Sequence, residues 1–544
     1  MAPTLPRPGG SATVSSVDSR AGSRSGAVQP WRPHLHLTPA RARMTDPNGL
    51  VWHASRYHLF FQFSTDLQGG TRPAEDDGFP VSWGHATSTD LVHWTEHPVA
   101  IAATASESIT TGSVVEDLLG TSGLAHGAVP ALVAVYTATD PHTGRRHQAL
   151  AASDDGGYIW RRVPDGPLLD GDIDGGEARI RDPRVFWYAP RSCWVMVAAP
   201  VAQRVVEFWC STDLLSWERV GRFGPHGPGD VRWEVPDLID VPIDGDPGHA
   251  SRWLLTLSVN PRPGTGGSGM VYAVGDFDGR SFTPAHDGDA FGPFSWVDHG
   301  PDFSAATSFA HDPQRTGPQN SPVWVGWLGN WAYADVVPTT GWRGVASLPR
   351  TLRLARRGDR FRLVQRPVPK IATTRQGIGT RLLQVALPAE QTRRRVPGAG
   401  GNCLEVRMDV EVGPGASAGI EVLASADGDQ FTRVTWSQDT GLLALDRRAS
   451  GVSGFHPQFA ALACGPLDGE PVTEGPAAGG HRVRFAIWVD VCCVEVFGGE
   501  GETVLSAQVF PDGESTFVSM YAEGGPVVVR ELQVWPLQLP LEGS

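Results

Sequence analysis

The chain has 544 residues, 19% of them charged, with a formal net charge of −14. That length exceeds what one hydrophobic core serves, so two or three structural units are expected. The acidic balance excludes nucleic acid and anionic membranes as partners, which need clustered Lys and Arg, and no apolar run of 18 or more residues is present to form a spanning helix.

Residues 1–33 begin with a segment of Ala, Pro, Gly, Ser and Arg without an apolar h-region, and read as a disordered lead-in rather than a secretory signal. The cysteines at 193, 210, 403, 464, 492 and 493 have no metal-ligand spacing, and the adjacent pair Cys492 and Cys493 is expected to point to opposite faces of a strand. Free thiols and a cytoplasmic location are expected.

From residue 34 onward the chain is β-rich, with 65 Gly and 45 Pro marking many turns, and no long helical periodicity is visible. A weak repeat runs through it: Ser88-Thr89-Asp90-Leu91-Val92-His93-Trp94, Ser153-Asp154-Asp155-Gly156-Gly157-Tyr158-Ile159-Trp160, Ser211-Thr212-Asp213-Leu214-Leu215-Ser216-Trp217 and a degenerate Gly275-Asp276-Phe277-Asp278-Gly279-Arg280-Ser281-Phe282. In each copy Ser, Asp or Gly supplies a turn and an aromatic begins the next strand. The copies start 65, 58 and about 64 residues apart, a spacing that suits a four-stranded propeller blade. Residues 34–366 leave room for five blades. An irregular sandwich with chance Asp and Trp pairs is the alternative. Over 367–544 the repeat stops and short alternating strands appear, as in Leu404 to Val412 and Val483 to Asp490, which reads as a β-sandwich. The fold class is therefore all-β, a five-bladed propeller followed by a C-terminal sandwich.

Three acidic motifs punctuate the first part: Met44-Thr45-Asp46-Pro47-Asn48-Gly49, Arg181-Asp182-Pro183 and Trp233-Glu234-Val235-Pro236-Asp237. Taken singly, the first is an ordinary turn sequence and the second an ordinary surface ion pair. Together, on three different blades, they offer paired carboxylates of the kind that glycosidic bond cleavage uses, with the innermost strands of a propeller bringing them to one axis. The 19 tryptophans fit an aromatic sugar site, although tryptophans also fill β cores.

With these motifs in this order, the chain resembles the β-fructosidases of glycoside hydrolase family 32, which include levanases, exo-inulinases, invertases and fructosyltransferases. The likeness extends through His36-Leu37-Thr38-Pro39, Tyr57 to Gln62, Trp83 to Trp94, Gly112-Ser113-Val114-Val115, Gly267-Ser268-Gly269, Val274 to Gly279, Trp342-Arg343-Gly344 with Leu348-Pro349-Arg350, and Asp446-Arg447 and Val494 to Phe497. It implies a retaining hydrolase acting on terminal β-fructofuranosyl units of levan, inulin or sucrose. By the same resemblance Asp46 would be the nucleophile, Glu234 the general acid/base and Asp182 the transition-state stabiliser, while Thr45, Asn48, Gln62, Trp83, Thr111, Ser113, Arg181 and Trp331 would line the sugar pocket. Neither cofactor nor metal is implied, and the expected partner is the carbohydrate alone.

The chain departs from the family at Arg43 and Thr45, where Trp and Asn are usual, at Thr110-Thr111 in place of an aromatic and Ser, and at Val235 in place of Cys. These positions belong to the pocket wall, so substrate preference rather than chemistry is at stake. A fructosyltransferase, with a sugar hydroxyl replacing water, and a non-catalytic fructan binder are the alternatives; intact Asp46, Asp182 and Glu234 argue against the binder.

Overall fold

The computed structural model describes residues 29–65, 67, 80–127, 129–164, 168–170, 180–246, 248, 250–310, 321–390 and 392–539. Residues 1–28 of the expected lead-in lie outside them. Its end, expected at residue 33, is already part of the fold: the Trp31 indole N–H donates to Pro511 O at 2.9 Å, and the Arg32 guanidinium lies 4.7 Å from the Trp342 ring centroid.

Five sheets follow in chain order, each built on four antiparallel strands and three of them carrying a further short strand. Blade 1 comprises Ala42–His53, Arg56–Ser64, Ser82–Ser88 and Thr95–Ile101, and blade 2 Ser108–Glu116, Leu132–Thr139, Arg146–Ser153 and Arg161–Arg162. Blade 3 comprises Ile180–Tyr188, Cys193–Pro200, Val206–Ser211 and Glu218–Phe223, and blade 4 Arg232–Pro242, Ser251–Asn260, Gly269–Phe277 and Phe282–Pro284. Blade 5 is Ser304–Ser308, Val323–Trp327, Arg350–Arg357 and Arg360–Pro367. The first strand of each blade packs beside the first strand of the next, and that of blade 5 returns to that of blade 1. Ala310 N–H donates to Leu50 O and Trp52 N–H to Ala310 O, which closes the ring and leaves the first strands lining a central axis.

The Ser-Asp-aromatic repeat is the turn between the third and fourth strands of blades 1 to 4. Asp90 Oδ1 accepts from the backbone N–H groups of Val92 and His93, Asp155 Oδ1 from Tyr158 and Ile159, Asp213 Oδ1 from Leu215 and Ser216, and Asp278 Oδ1 from Arg280 and Ser281. One carboxylate thus satisfies two donors that the turn would otherwise strand. Blade 5 replaces the repeat with a short turn at Gly358 and Asp359, so no fifth copy is found.

The sandwich packs a seven-stranded sheet on a six-stranded one, with Val406, Val410, Ile420, Val434, Ile487, Val496 and Val518 among the residues of its shared core. The strand Cys403–Val412, expected to be half exposed, is mostly buried because it lies inside its sheet and its outward Glu405 is covered by Arg375 and Arg407. None of the six cysteines is in a disulfide. Cys492 and Cys493 do not diverge: Cys492 falls in a turn, which leaves both thiols buried with Sγ atoms 3.7 Å apart.

Buried charge joins the two domains. His36, ahead of blade 1, is clasped between Asp490 Oδ2 at 2.8 Å and Glu495 Oε1 at 2.9 Å, both on the sandwich. Burial opposes its charge, but these two carboxylates outweigh it and hold the imidazole up at about 9. Arg350 of blade 5 reaches Glu495 and Asp298, and Arg447 of the sandwich pairs with Asp302 and Tyr333.

Blade 1 carries a second histidine cluster of the opposite kind. His58 Nδ1 and His85 Nε2 share a hydrogen bond of 3.1 Å, the His85 ring stacks on Phe60 with centroids 4.4 Å apart, and His53, His97 and Tyr158 complete the packing. Burial first, and then neighbouring histidines, push His58 down to about 4 and His85 to about 2. Both are neutral in the fold, so their contribution is complete above the unfolded value near 6.5 and is lost as pH falls from there towards 4. Thermal unfolding followed from pH 8 to pH 5 is expected to show His85→Phe, which keeps the stack and removes the titrating nitrogens, gaining relative to the parent chain below pH 6.5; parallel curves would overturn this.

Candidate active site

The first strand of every blade is interrupted at the same level. Register shifts occur between Thr45 and Pro47, Ile109 and Gly112, Arg181 and Arg184, Glu234 and Asp237, and Ser304 and Thr307. At four of these bulges one residue takes a left-handed backbone: Asp46 (φ 31°), Asp182 (φ 58°), Val235 (φ 47°) and Ala305 (φ 51°). A bulge re-aims a side chain out of the alternation of its strand, and proline follows in three cases, Pro47, Pro183 and Pro236, where ladder pairing is already broken. The five strands, each irregular at this level, therefore present these residues to one axis. Asp46 and Asp182 stand at equivalent places, and Glu234 comes one residue ahead of its equivalent.

Asp46 is buried, and its Oδ2 accepts from Gln62 Nε2 at 3.0 Å and Thr111 Oγ1 at 3.4 Å. Gln62 Nε2 also donates to Thr111 Oγ1 at 2.7 Å, and Thr45 Oγ1 lies 3.5 Å from Gln62 Oε1, so the four residues brace one another. Asn48, fully buried, holds the bulge from behind by donating to Asp46 O at 2.9 Å. Asp182 Oδ2 accepts the Val235 N–H at 3.0 Å, and its own N–H donates to Thr137 Oγ1 at 2.9 Å, which ties blades 2, 3 and 4 together. Arg181 Nη1 donates to Glu234 Oε1 at 3.2 Å, and its Nε lies 3.9 Å from Asp182 Oδ1. Among the described residues, Asp46 Oδ1 and Asp182 Oδ1 are buried with no hydrogen-bond partner. Two carboxylate oxygens left bare at the axis of a propeller await donors from outside the protein, since such atoms are costly to leave unmet.

Crowding raises the proton affinity of the site. Burial, then Asp182 and Glu234, push Asp46 up to about 7 against the pull of Arg181. Burial also raises Glu234, which Arg181 partly offsets.

Two expected pocket residues do other work. Trp83 is completely buried among Phe60, Val114 and Tyr136 and donates its indole N–H to Thr110 O at 2.8 Å, so no face is available to cover a sugar. Ser113 Oγ is spent as the acceptor of the Val185 N–H at 2.9 Å, between blades 2 and 3. The bulge of blade 2 turns Thr111 inward and Ser113 into the seam beneath, and Trp83 lies on the third strand of blade 1, away from the axis. Asp237 of the third motif is likewise structural, buried between Arg184 Nε at 2.9 Å and the Ser308 N–H at 2.8 Å. Trp331 stands at the rim, half buried, packed on Trp327 and beside Val235. Sequence reasoning missed Asp335, whose Oδ1 lies 2.6 Å from Arg43 Nη1; nothing in its local sequence marks it.

Among the described residues one group, His34, Cys403 and Asp490, has ligand atoms close enough to share a metal ion. The Asp490 carboxylate already accepts the backbone N–H groups of His34, Leu35 and His36 and meets the His36 ring, so its capacity is used within the fold.

With this geometry in view, residues 36–367 match the family described as Glycosyl hydrolases family 32 N-terminal domain, and residues 374–536 its C-terminal counterpart. The chain belongs to glycosyl hydrolase family 32. It is 35% identical over 510 residues to a levanase from Bacillus subtilis (strain 168), spanning 93% of this chain and 70% of that one. It is 33% identical to an extracellular exo-inulinase from Aspergillus awamori, over 91% and 93% of the two chains. The crystal structure of exo-inulinase from Aspergillus awamori superposes with a TM-score of 0.82 at 31% identity, covering 94% of this chain and 98% of that one. A fructan 1-exohydrolase IIa from Cichorium intybus shares the fold, with a TM-score of 0.74 at 21% identity over 94% and 98%.

Two measurements check this description of the family 32 site. Ser113→Ala strands a buried N–H and is expected to lower stability to urea by about 1–3 kcal/mol while leaving the Michaelis constant unmoved; a raised constant at unchanged stability would return Ser113 to the pocket. Arg181 holds both acids down, so Arg181→Gln is expected to slow the enzyme and move both limbs of its pH–rate profile to higher pH; a slower enzyme with an unshifted profile would contradict this.

Proposed function

We propose that this family 32 member is a retaining β-fructosidase that releases terminal β-D-fructofuranosyl units from fructans such as levan and inulin, and from sucrose. The observation that carries the reading is the meeting of Asp46, Asp182 and Glu234 from three blades at one axis, with an unpaired oxygen on two of them, in a chain that matches the family along both domains.

Gln62 and Thr111 hold Asp46 Oδ2, the Thr111 bond favouring the charged form against the burial that raises this carboxylate's proton affinity, and leave Oδ1 as the attacking atom. Attack on C2 of the fructosyl unit forms an ester to Asp46 as the bond to the leaving oxygen breaks. Glu234, with its raised proton affinity, gives that oxygen its proton. Glu234 then takes a proton from water, which attacks C2, breaks the ester and frees fructose with its original configuration. Asp182, fixed by the Val235 N–H through Oδ2, offers Oδ1 to sugar hydroxyls and opposes the positive charge that builds on the ring. Asp46 and Glu234 titrate as a coupled pair, and burial keeps a proton between them into the neutral range.

The decisive experiment is a product assay on levan, inulin and sucrose. Free fructose is the expected product, and Asp46→Asn and Glu234→Gln are each expected to lose at least about 10³-fold in kcat with folding unchanged. Near-parental turnover in either variant would remove its assigned role.

A further inference from the structure

The blade 1 strand runs regularly from Arg43 to Thr45, with Arg43 opposite Ser64 and Thr45 opposite Gln62. Arg43 and Thr45 therefore share a strand face, and Arg43 stands about 7 Å further along the wall of the funnel from the residue that touches Gln62. Its guanidinium meets two groups of the segment after the second strand of blade 5: Asp335, 2.6 Å away, and the Trp331 ring, whose centroid is 5.3 Å away. Trp331 in turn packs against the small cluster of Trp327, Ala305 and Val235, the last being the neighbour of Glu234. The pair thus lies on the side of the site where the proposed proton donor meets the leaving oxygen.

The support under it is rigid. Trp331 N–H donates to Ser268 Oγ at 3.0 Å, Ser268 N–H to Asn330 Oδ1 at 3.2 Å, and Asn330 Nδ2 to Pro301 O at 2.8 Å. The Gly267-Ser268-Gly269 loop of blade 4 is thereby a prop for this segment. Two features show unused bonding capacity. Arg43 Nη2 is buried without a hydrogen-bond partner, and the Asp335 side chain keeps 34% of its surface exposed.

Resting on the β-fructosidase reading, we infer that Arg43 and Asp335, laid against Trp331, form a donor–acceptor pair that binds the sugar on the leaving-group side, and so also the acceptor sugar able to replace water. Vicinal hydroxyls suit such a pair: one accepts from the guanidinium, its neighbour donates to the carboxylate, and the ring rests on the indole. The charge of Arg43 remains paired throughout, so neutral sugars are its ligands. When the pair holds a sugar after the first leaving group has gone, that sugar's hydroxyl attacks C2 in place of water, its proton passes to Glu234, the ester to Asp46 breaks, and a fructosyl unit is transferred. Arg43 and Asp335 then set the ratio of transfer to hydrolysis.

Binding separates this inference from the reading beneath it. In the Glu234→Gln background, titration with a levan trisaccharide and with free fructose is compared for the chain with and without Arg43→Leu, and with and without Asp335→Asn, which keeps the size of this half-buried side chain. About a tenfold weakening of trisaccharide affinity with fructose affinity held within twofold is expected from each. In the otherwise parental chain, the same changes are expected to lower the share of transfer products at high sucrose about fivefold. A trisaccharide affinity that does not move, or one that weakens in step with that for fructose, overturns the pair's role. Trisaccharide binding that depends on Arg43 in a chain that releases no fructose overturns the hydrolase reading and leaves the pair a binding device.

Discussion

Three carboxylates held out of water around one axis repel one another, and the rest of this structure answers to that fact. Two unit charges about 5 Å apart in a partly screened interior oppose each other by about 3 kcal/mol, a sizeable part of the stability of a domain. The fold does not avoid the cost; it contains it. Arg181 faces both Asp182 and Glu234, the Val235 N–H bonds Asp182, and Gln62 and Thr111 bond Asp46. Below them Thr307 Oγ1 donates to Pro47 O and Arg184 reaches Ser308 and Asp237, so the blades cannot drift apart to relieve the repulsion. What repulsion remains is expressed as raised proton affinity, which is the property an acid catalyst requires.

The blades were legible because their turns repeat in sequence. An Asp that must collect two backbone donors, followed by an aromatic entering the next strand, leaves a mark wherever it recurs, and blade 5, expected from the length left over, carries no such mark because a tight glycine turn does the same task without it. The acidic motifs were legible for a related reason: a bulge followed by proline restricts the residues around each carboxylate, and Thr45, Gln62, Thr111 and Arg181 were found in their surroundings. Trp83 and Ser113 were not. Trp83 sits on the third strand of blade 1, away from the axis, and the bulge between Ile109 and Gly112 leaves Thr111 against Asp46 and Ser113 in the seam. A register shift of this sort has no composition of its own. Asp335 was invisible for a different reason, since its partner Arg43 lies almost three hundred residues away and the contact exists only once the ring is closed.

The two histidine groups show how burial can favour opposite charge states within one domain pair. His58 and His85 face each other, aromatic rings and no carboxylate, so they are most stable without a proton. His36 faces Asp490 and Glu495 and is most stable with one. The acidic composition of the chain gives no hint of either; what separates them is whether a buried ring finds oxygen or carbon beside it.

The grip of Asp490 and Glu495 on His36 also bears on the order in which the molecule is made. The partners are separated by 454 residues or more, and Trp31 reaches still further, to Pro511. The segment ahead of blade 1 thus leaves the ribosome well before its partners and can dock only once residues 490–511 have been made. A ring of blades assembled early would wait with its opening segment undocked, and the arrival of Asp490, Glu495 and Pro511 would fasten the two domains. Translation that stops short of residue 490 would yield a propeller whose beginning has nowhere to bind.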